Sequence, residues 1–413
     1  MDPKVREDFP FLLQDPAPIY FDNACMTLKP RQVIDAVNEY YTFFPVCGGR
    51  SVHSVGMEVT MRMEESREAL KEFFGARGRE VVFTKNTTEG INLVAKGYPL
   101  KRGARVIVSG QEHNSNLVPW LQMVRRKRIS VVPVPPTPEM TFDLDGFRDE
   151  LAKGAAMVAV THTSNLNGYT IPLREVIETA HDRGVPVIVD GAQSAPHSRV
   201  DLDSLDADFF ALSVHKMLGP TGLGALIAPE ECLKDVEPLI VGGGTISRTR
   251  YDDFAFAGIP ERFEGGLQNY AGIIGAKPAL DYLARIGMEE VETHERRLNT
   301  ILTEGLLGID GITMVPPLDP ALRSGITSFM VEGMNPHDVA MTLDQVGHIL
   351  VRSGRHCVDS WFEAAREGPW MPGSDLTGTC RTSLYIYNTE EEVDIFLENM
   401  RGIANFLSAK EVA

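Results

Sequence analysis

Three short segments carry side chains whose types and spacing could do chemistry together. Ser213-Val214-His215-Lys216 ends the apolar run DFFAL and precedes the glycine-rich MLGPTGLGAL. Desolvation between such flanks lowers a lysine's pKa, and the neutral amine can form a Schiff base with an aldehyde. Ser213 and His215 beside it can donate to a phosphate. VPVIVDGAQSAPH is an apolar strand pattern ending in Asp190, with Gln193 three positions on. A carboxylate there is costly unless it meets a cation. A protonated pyridine nitrogen is one such cation, and keeping it protonated makes the ring an electron sink. Taken alone, Asp190 also reads as a helix cap or a metal ligand. In Phe83-Thr84-Lys85-Asn86-Thr87-Thr88-Glu89-Gly90 a strand ends and a helix begins. The amides and positive dipole end of that helix suit a phosphate, although Thr followed by Glu is also an ordinary cap.

Three further residues have chemical potential. Cys357 closes Val351-Arg352-Ser353-Gly354-Arg355-His356-Cys357. Arg355 and His356 there bring positive charge, which favours a thiolate, whereas an apolar pocket would make the thiol a small hydrophobe. His113, in EHNSN, reads either as a helix-capping or core histidine or as a proton carrier. Arg381, in CRTSLYIYNT, offers a donor fork that fits a carboxylate, and an arginine before a strand is also commonly a surface residue.

The elements that must position these residues alternate in type. EVVFT, RVIVSG, SVVPVPP, MVAVTHTS, VPVIVDGA and DFFALSVH read as strands, most of them separated by helical stretches such as TTEGINLVAKGY, HNSNLVPWLQMVRRK and PLREVIETAHDRG. That is the pattern of βαβ units around a mostly parallel, buried sheet, whose ligands gather at the carboxyl ends of its strands. Two helices, PRQVIDAVNEYYTFF and VTMRMEESREALKEFFG, precede it. After LQNYAGIIGAKPALDYLARIG the texture changes to a long helix around METHERRLNTILTEGLLG, short strands (GITMV, ITSFMV, TSLYIY) and two more helices. The expected division is an N-terminal segment over 1–20 packing near the small domain, a large domain over 21–285 and a smaller α+β domain over 286–413.

Bulk composition excludes some partners. The chain has 413 residues, 43% hydrophobic and 23% charged, with a formal net charge of −17. An acidic surface repels phosphate backbones and anionic lipid, so neither nucleic acid nor membrane is an expected partner. No run approaches the length needed to span a bilayer, and the N-terminus lacks the apolar core of a signal peptide. The five cysteines are scattered without a CxxC pair, which points to reduced thiols in a cytoplasm and to no structural metal.

Phosphate turn, then Asp-x-x-Gln, then Ser-x-His-Lys on one parallel sheet resembles the class V aminotransferase group of fold-type I pyridoxal-phosphate enzymes. Within that group the SUF-type, or group II, cysteine desulfurases and the selenocysteine lyases are most similar. The shared stretches are FTKNTTEGINLVA, EHNSNLVPW, THTSNLNGYTIPL, VDGAQSAPH, SVHKMLGPTGLGAL, RFEGGLQNYAGIIGA and VRSGRHC. The resemblance implies an aspartate aminotransferase-like fold with a mostly parallel seven-stranded sheet, and pyridoxal 5'-phosphate as cofactor. It implies that Lys216 carries the cofactor, Asp190 pairs with its ring nitrogen and His113 stacks on its ring and assists proton transfer. Thr87, Thr88, Ser213 and His215 would serve the phosphate, with Asn165 and Gln193 toward the phenolic oxygen. Arg381 would grip the substrate carboxylate, with Arg352 and Asn165 also facing substrate. Cys357 would take sulfur from L-cysteine as a persulfide, leaving L-alanine, and pass it to an acceptor protein as in iron–sulfur cluster assembly. The site would be built at a homodimer interface. A selenocysteine lyase, a C–S lyase acting on a larger thioether, or another class V activity such as an aminotransferase or epimerase is the alternative. A cofactor-binding scaffold without turnover is the reading from a different class, and intact Lys216, Asp190 and Cys357 speak against it.

Several positions depart from that pattern. Gly265-Gly266-Leu267-Gln268-Asn269 has Leu267 where a threonine would reach the partner's phosphate. Cys357 and Arg381 are 24 positions apart, with WFEAAREGPWMPGSDLTG inserted. Cys25 replaces a small alanine-like residue, and PVCGGRSVH places Cys47 and His53 in a stretch expected at the mouth of the site.

Overall fold

The computed structural model describes residues 1–367 and 377–411. Part of the inserted stretch, residues 368–376, lies outside the described residues. Two helices, α1 (Arg31–Phe43) and α2 (Ser54–Phe73), precede the first sheet. Its strands are β1 (Glu80–Thr84), β2 (Arg105–Ser109), β3 (Ser130–Val134), β4 (Met157–Thr161), β5 (Val187–Asp190), β6 (Phe209–Ser213) and β7 (Gly224–Ala228). They lie in the order β1-β7-β6-β5-β4-β2-β3. Only β7 runs against the others, pairing antiparallel with β6 and with β1. The six strands read from the sequence are all present. The seventh, β7, follows the glycine-rich turn that masked it, and the short connection from β6 is what forces it to run antiparallel.

Burial on both faces follows the period-two alternation of side chains. Val81, Phe83, Val158, Val160, Val187, Val189, Phe210 and Leu212 face one core. Val82, Met157, Ala159, Ile188, Phe209 and Ala211 face the other. Val33 of α1, Val59 and Leu70 of α2, and Ile273, Leu280 and Leu283 of α5 (Tyr270–Ile286) close the first core. Ile91 and Val94 of α3 (Thr87–Gly97), with Trp120 and Met123 of α4 (Asn114–Lys127), close the second. Two glycines allow close approach around the site, one to a ring and one to backbone. A Cβ on Gly191 would lie 2.1 Å from the Phe210 ring, and one on Gly224 would lie 2.5 Å from Asn86 Cα.

A second sheet is antiparallel, ordered β8-β9-β11-β10, from β8 (Ile312–Met314), β9 (Ile326–Val331), β10 (Arg352–Gly354) and β11 (Thr379–Ser383). Helices α6 (Met288–Leu307), α7 (Pro336–Gly347) and α9 (Glu390–Glu411) cover it, with Leu302, Leu343, Phe329, Phe396 and Met400 at the centre of its core. Ile19 and Phe21 pack into the same core, whereas Phe9 and Leu12 join the first. The inserted stretch begins as α8 (Asp359–Glu367), whose Trp361 and Phe362 pack with Met140, Leu166 and Val315. No described helix is long and apolar enough to cross a membrane.

Candidate active site

The carboxyl ends of β1, β2, β4, β5 and β6 converge on a cavity of about 290 Å³, which Arg352 and Arg381 also line from the second sheet. Every site residue expected from the sequence lines it: Thr87, Thr88, His113, Asn165, Asp190, Gln193, Ser213, His215, Lys216, Arg352, Cys357 and Arg381. Cys47 and His53 do not. Cys47 is exposed, and His53 caps α2, its Nδ1 accepting from Gly56 N at 3.1 Å.

At the start of α3 the cap is Asn86, whose Oδ1 accepts from Glu89 N at 3.1 Å. That frees both threonine hydroxyls from capping. Thr87 N donates to Ser213 Oγ at 3.0 Å and Thr87 Oγ1 lies 2.7 Å from the same oxygen, while Thr88 Oγ1 lies 2.7 Å from Ser115 Oγ. Hydroxyls from three segments thus cluster at a helix N-terminus, a concentration of donors that suits an anion.

Lys216 follows β6 in a single tight turn held by residues 25–29. The His215 carbonyl accepts from Thr27 N (3.2 Å), Thr27 Oγ1 (3.2 Å) and Lys29 Nζ (2.9 Å), and Leu218 N donates to Thr27 Oγ1 at 2.9 Å. Burial lowers the Lys216 amine from its ordinary value, opposed by the negative charge of Asp190. Burial raises Asp190, with the Ala192 amide (3.0 Å) and Lys216 pulling it back. A strand-end carboxylate and a desolvated amine therefore face one cavity, each shifted toward its neutral form.

His113 is both a cap and a cavity residue. Its Nδ1 accepts from Ser115 N at 3.0 Å, so the neutral ring carries its proton on Nε2. Burial, then Lys216 and Arg381, hold it down to about 3. Behind it Glu112, which sequence reasoning passed over, ties β2 to β4. Its carboxylate accepts from Ser109 Oγ (2.6 Å), Thr161 N (2.9 Å) and Asn116 Nδ2 (2.7 Å). Burial raises it to about 7 against those donors.

Arg352 and Arg381 are directly opposite each other across the β10–β11 ladder, so their side chains share a face. Asp22 holds both, at 3.5 Å and 3.4 Å. Arg381 also donates to Asn165 O at 2.9 Å, and its buried Nε has no partner among the described residues. Gln193 Nε2 donates to Ala24 O at 2.8 Å, leaving Oε1 buried without a partner among the described residues. These orphaned groups belong to residues lining the cavity, where such atoms await a ligand's complement.

The surroundings of Cys357 differ from the expectation. Arg355 does not serve the thiol: its guanidinium pairs with Glu363 (2.5 Å) and Asp359 (3.8 Å) on α8. His356 brings no charge either, because burial, then Arg381, hold it down to about 2 while Nε2 lies 2.8 Å from Thr379 Oγ1. The cation near the thiol is Arg352, which feels its charge; the Lys216 amine, shifted toward its neutral form by burial, feels it too. His356 and Cys357 are both left-handed, with φ of 52° and 58°. Consecutive non-glycine residues there cost about 1–3 kcal/mol each unless the surroundings hold them. The holds are visible: Asn165 Nδ2 donates to His356 O and Asn114 N to Cys357 O, both at 2.7 Å, and Asn114 Nδ2 reaches Asp359 at 2.8 Å. An exposed thiol on a pinned, strained loop is a presented group, and Asp359 at the start of α8 contributes to the pinning.

The neutral His356 gives a testable pH dependence. Its folded value lies below the unfolded value of about 6.5, so the unfolded chain binds the extra proton. The contribution to stability is complete above pH 6.5 and falls as pH drops through the window toward 2, by up to about 1.4 kcal/mol per pH unit. In urea unfolding between pH 7.5 and 5, His356→Gln should show a shallower loss of stability than the parent. Equal slopes would mean that the ring is charged in the folded protein.

The chain is similar to known proteins over nearly its whole length. A family profile described as aminotransferase class-V matches residues 19–396. A probable cysteine desulfurase of Xylella fastidiosa is 37% identical, spanning 98% of this chain and 96% of its own. The apo cysteine desulfurase structure from Thermococcus onnurineus superposes with a TM-score of 0.92 at 37% identity, covering 98% of both chains. The cysteine desulfurase of Escherichia coli, in an S-sulfonic acid form, gives 0.87 at 31% identity over 98% of this chain and 99% of its own.

Proposed function

The chain belongs to the class-V aminotransferase family, and from that premise we propose that it is a pyridoxal-phosphate cysteine desulfurase, converting L-cysteine to L-alanine with the sulfur held on Cys357. The observation that carries the reading is the meeting of Lys216, Asp190 and the exposed, pinned Cys357 in one cavity. The residues fit the cofactor group by group. The hydroxyls of Thr87, Thr88 and Ser213 at the α3 N-terminus suit its phosphate, and Asp190 suits a protonated ring nitrogen. Gln193 Oε1, buried and unpartnered, suits a hydroxyl on the ring, and the Lys216 amine suits its aldehyde. When bound, that cofactor supplies an electron sink that acidifies the Cα–H of an amino acid.

The chain's own residues supply the rest. Lys216 Nζ, biased toward its neutral form, takes the Cα proton and can return it. His113, neutral with its proton on Nε2, packs in the cavity without adding charge. Arg381 and Arg352 grip the substrate carboxylate, which their shared partner Asp22 prepares them to do. Cys357 Sγ attacks the substrate sulfur: an S–S bond forms, the substrate Cβ–S bond breaks, and protonation of the carbon gives alanine. An acceptor thiol then removes the outer sulfur, as supply for iron–sulfur cluster assembly requires.

Incubating the purified protein with L-cysteine and a reductant should give alanine and sulfide in equal amounts. Pyruvate with ammonia would instead mark a lyase, and no turnover of cysteine would reject the reading.

The second expectation is a homodimer. Tyr41 and Phe43 of α1, Met57 and Met61 of α2, and Leu267 are all exposed large apolar residues, more than single scattered ones require. Leu267, 74% exposed, has no hydroxyl for a partner's phosphate, so main-chain groups around Gly266 must serve if that contact is kept. Light scattering should report a dimer. A monomer with full activity would refute a shared site.

A further inference from the structure

We propose that Cys25 is a second persulfide site, taking the outer sulfur from Cys357 inside the same cavity; the proposal rests on Cys357 being the first acceptor. Two of the five cysteines line the cavity, Cys25 and Cys357. Cys380 is pushed up to about 12 by burial, as is Cys232, where Asp208 adds to the effect. Cys47 lies outside.

Cys25 is placed by the same strap that holds the Lys216 turn. Its Sγ accepts a hydrogen bond from Arg352 Nη1 at 3.1 Å, a charge-assisted contact. Arg352 also feels the charge of Cys357, as Lys216 feels that of both thiols. One half-exposed guanidinium therefore bonds the Cys25 sulfur and lies within electrostatic reach of Cys357. Cys25 is partly exposed and Cys357 exposed, so an acceptor can reach the pair. The site is otherwise polar and built: Arg381, 3% exposed, lines it with an unpartnered Nε.

The transfer balances without a co-reactant. The Cys25 thiolate attacks the terminal sulfur of the Cys357 persulfide, a new S–S bond forms on Cys25, and the old one breaks. Cys357 leaves with the electron pair as a thiolate, and nothing is oxidised or reduced overall. The persulfide extends the reach of Cys357 by one S–S bond, about 2 Å. Arg352 can neutralise whichever sulfur is anionic. Cys357 is then free to accept again before the first sulfur has left.

Such a relay stores two sulfurs per site. Holoenzyme mixed with L-cysteine without reductant should release an alanine burst about twice that of Cys25→Ser. Cys25→Ala serves as a second variant, with cofactor absorbance confirming that each variant is folded. Alkylation and peptide mass mapping should find persulfide on both Cys25 and Cys357 in the parent. In Cys357→Ser the Cys25 persulfide should fall at least about tenfold, since its donor is gone. Persulfide on Cys357 alone with equal bursts would overturn the relay. A Cys25–Cys357 disulfide with released sulfide would also overturn it, showing attack on the inner sulfur instead. Persulfide persisting on Cys25 in Cys357→Ser would make Cys25 the first acceptor and end the proposal. Absence of both persulfide and alanine from the parent is the distinct result that removes the desulfurase reading, and the relay with it.

Discussion

Replacing Cys357 by Ser should leave the protein folded, with cofactor and cysteine still bound, and should cut alanine and sulfide production by about a hundredfold or more, a loss of about 2.7 kcal/mol in the barrier term. The substitution keeps volume and removes only the sulfur nucleophile. Its main-chain holds, Asn114 N on Cys357 O and Asn165 Nδ2 on His356 O, do not involve the thiol. The two left-handed residues should therefore remain in place. Spectral titration with L-cysteine should give binding within a few-fold of the parent, while kcat collapses. A variant with full turnover would show that another group accepts the sulfur, and Cys25, on the same arginine, would be the first to examine.

Lys216→Ala should have the larger effect on the cofactor itself. The parent should carry an absorbance band that borohydride bleaches, and the variant should lack the reducible linkage. Loss of the same amine as a base should lower turnover by about 10²–10⁴-fold. The effect is local, because the turn is held through the His215 carbonyl by Thr27 and Lys29 rather than through the Lys216 side chain. Removing the amine also leaves Asp190 without a cation that opposes its raised pKa. A still-reducible band in Lys216→Ala would place the linkage on another amine, and Lys29, lowered to about 7 by burial, is the other buried amine next to this turn.

The strand-helix alternation was legible from local pattern, because a strand buried on both faces must be apolar throughout and its helices must be amphipathic. So were Thr87, Asp190, Ser213 and Lys216, since a parallel sheet brings its carboxyl ends to one edge wherever its strands lie in the chain. β7 was not legible, because Gly224, needed for close approach to Asn86, looks like a turn residue in a glycine-rich stretch. The electrostatics were not legible either. Arg355 and His356 are neighbours of Cys357 in sequence, yet the fold turns one to Glu363 and Asp359 and buries the other neutral. The charge near that thiol comes instead from Arg352. The pairing of Asp22 with two arginines, the contact of Cys25 with Arg352, and the carboxylate of Glu112 across β2 and β4 join residues distant in the chain or on separate strands. Periodicity records which face a residue takes. Which charge it meets is a through-space property, and only the tertiary structure decides it.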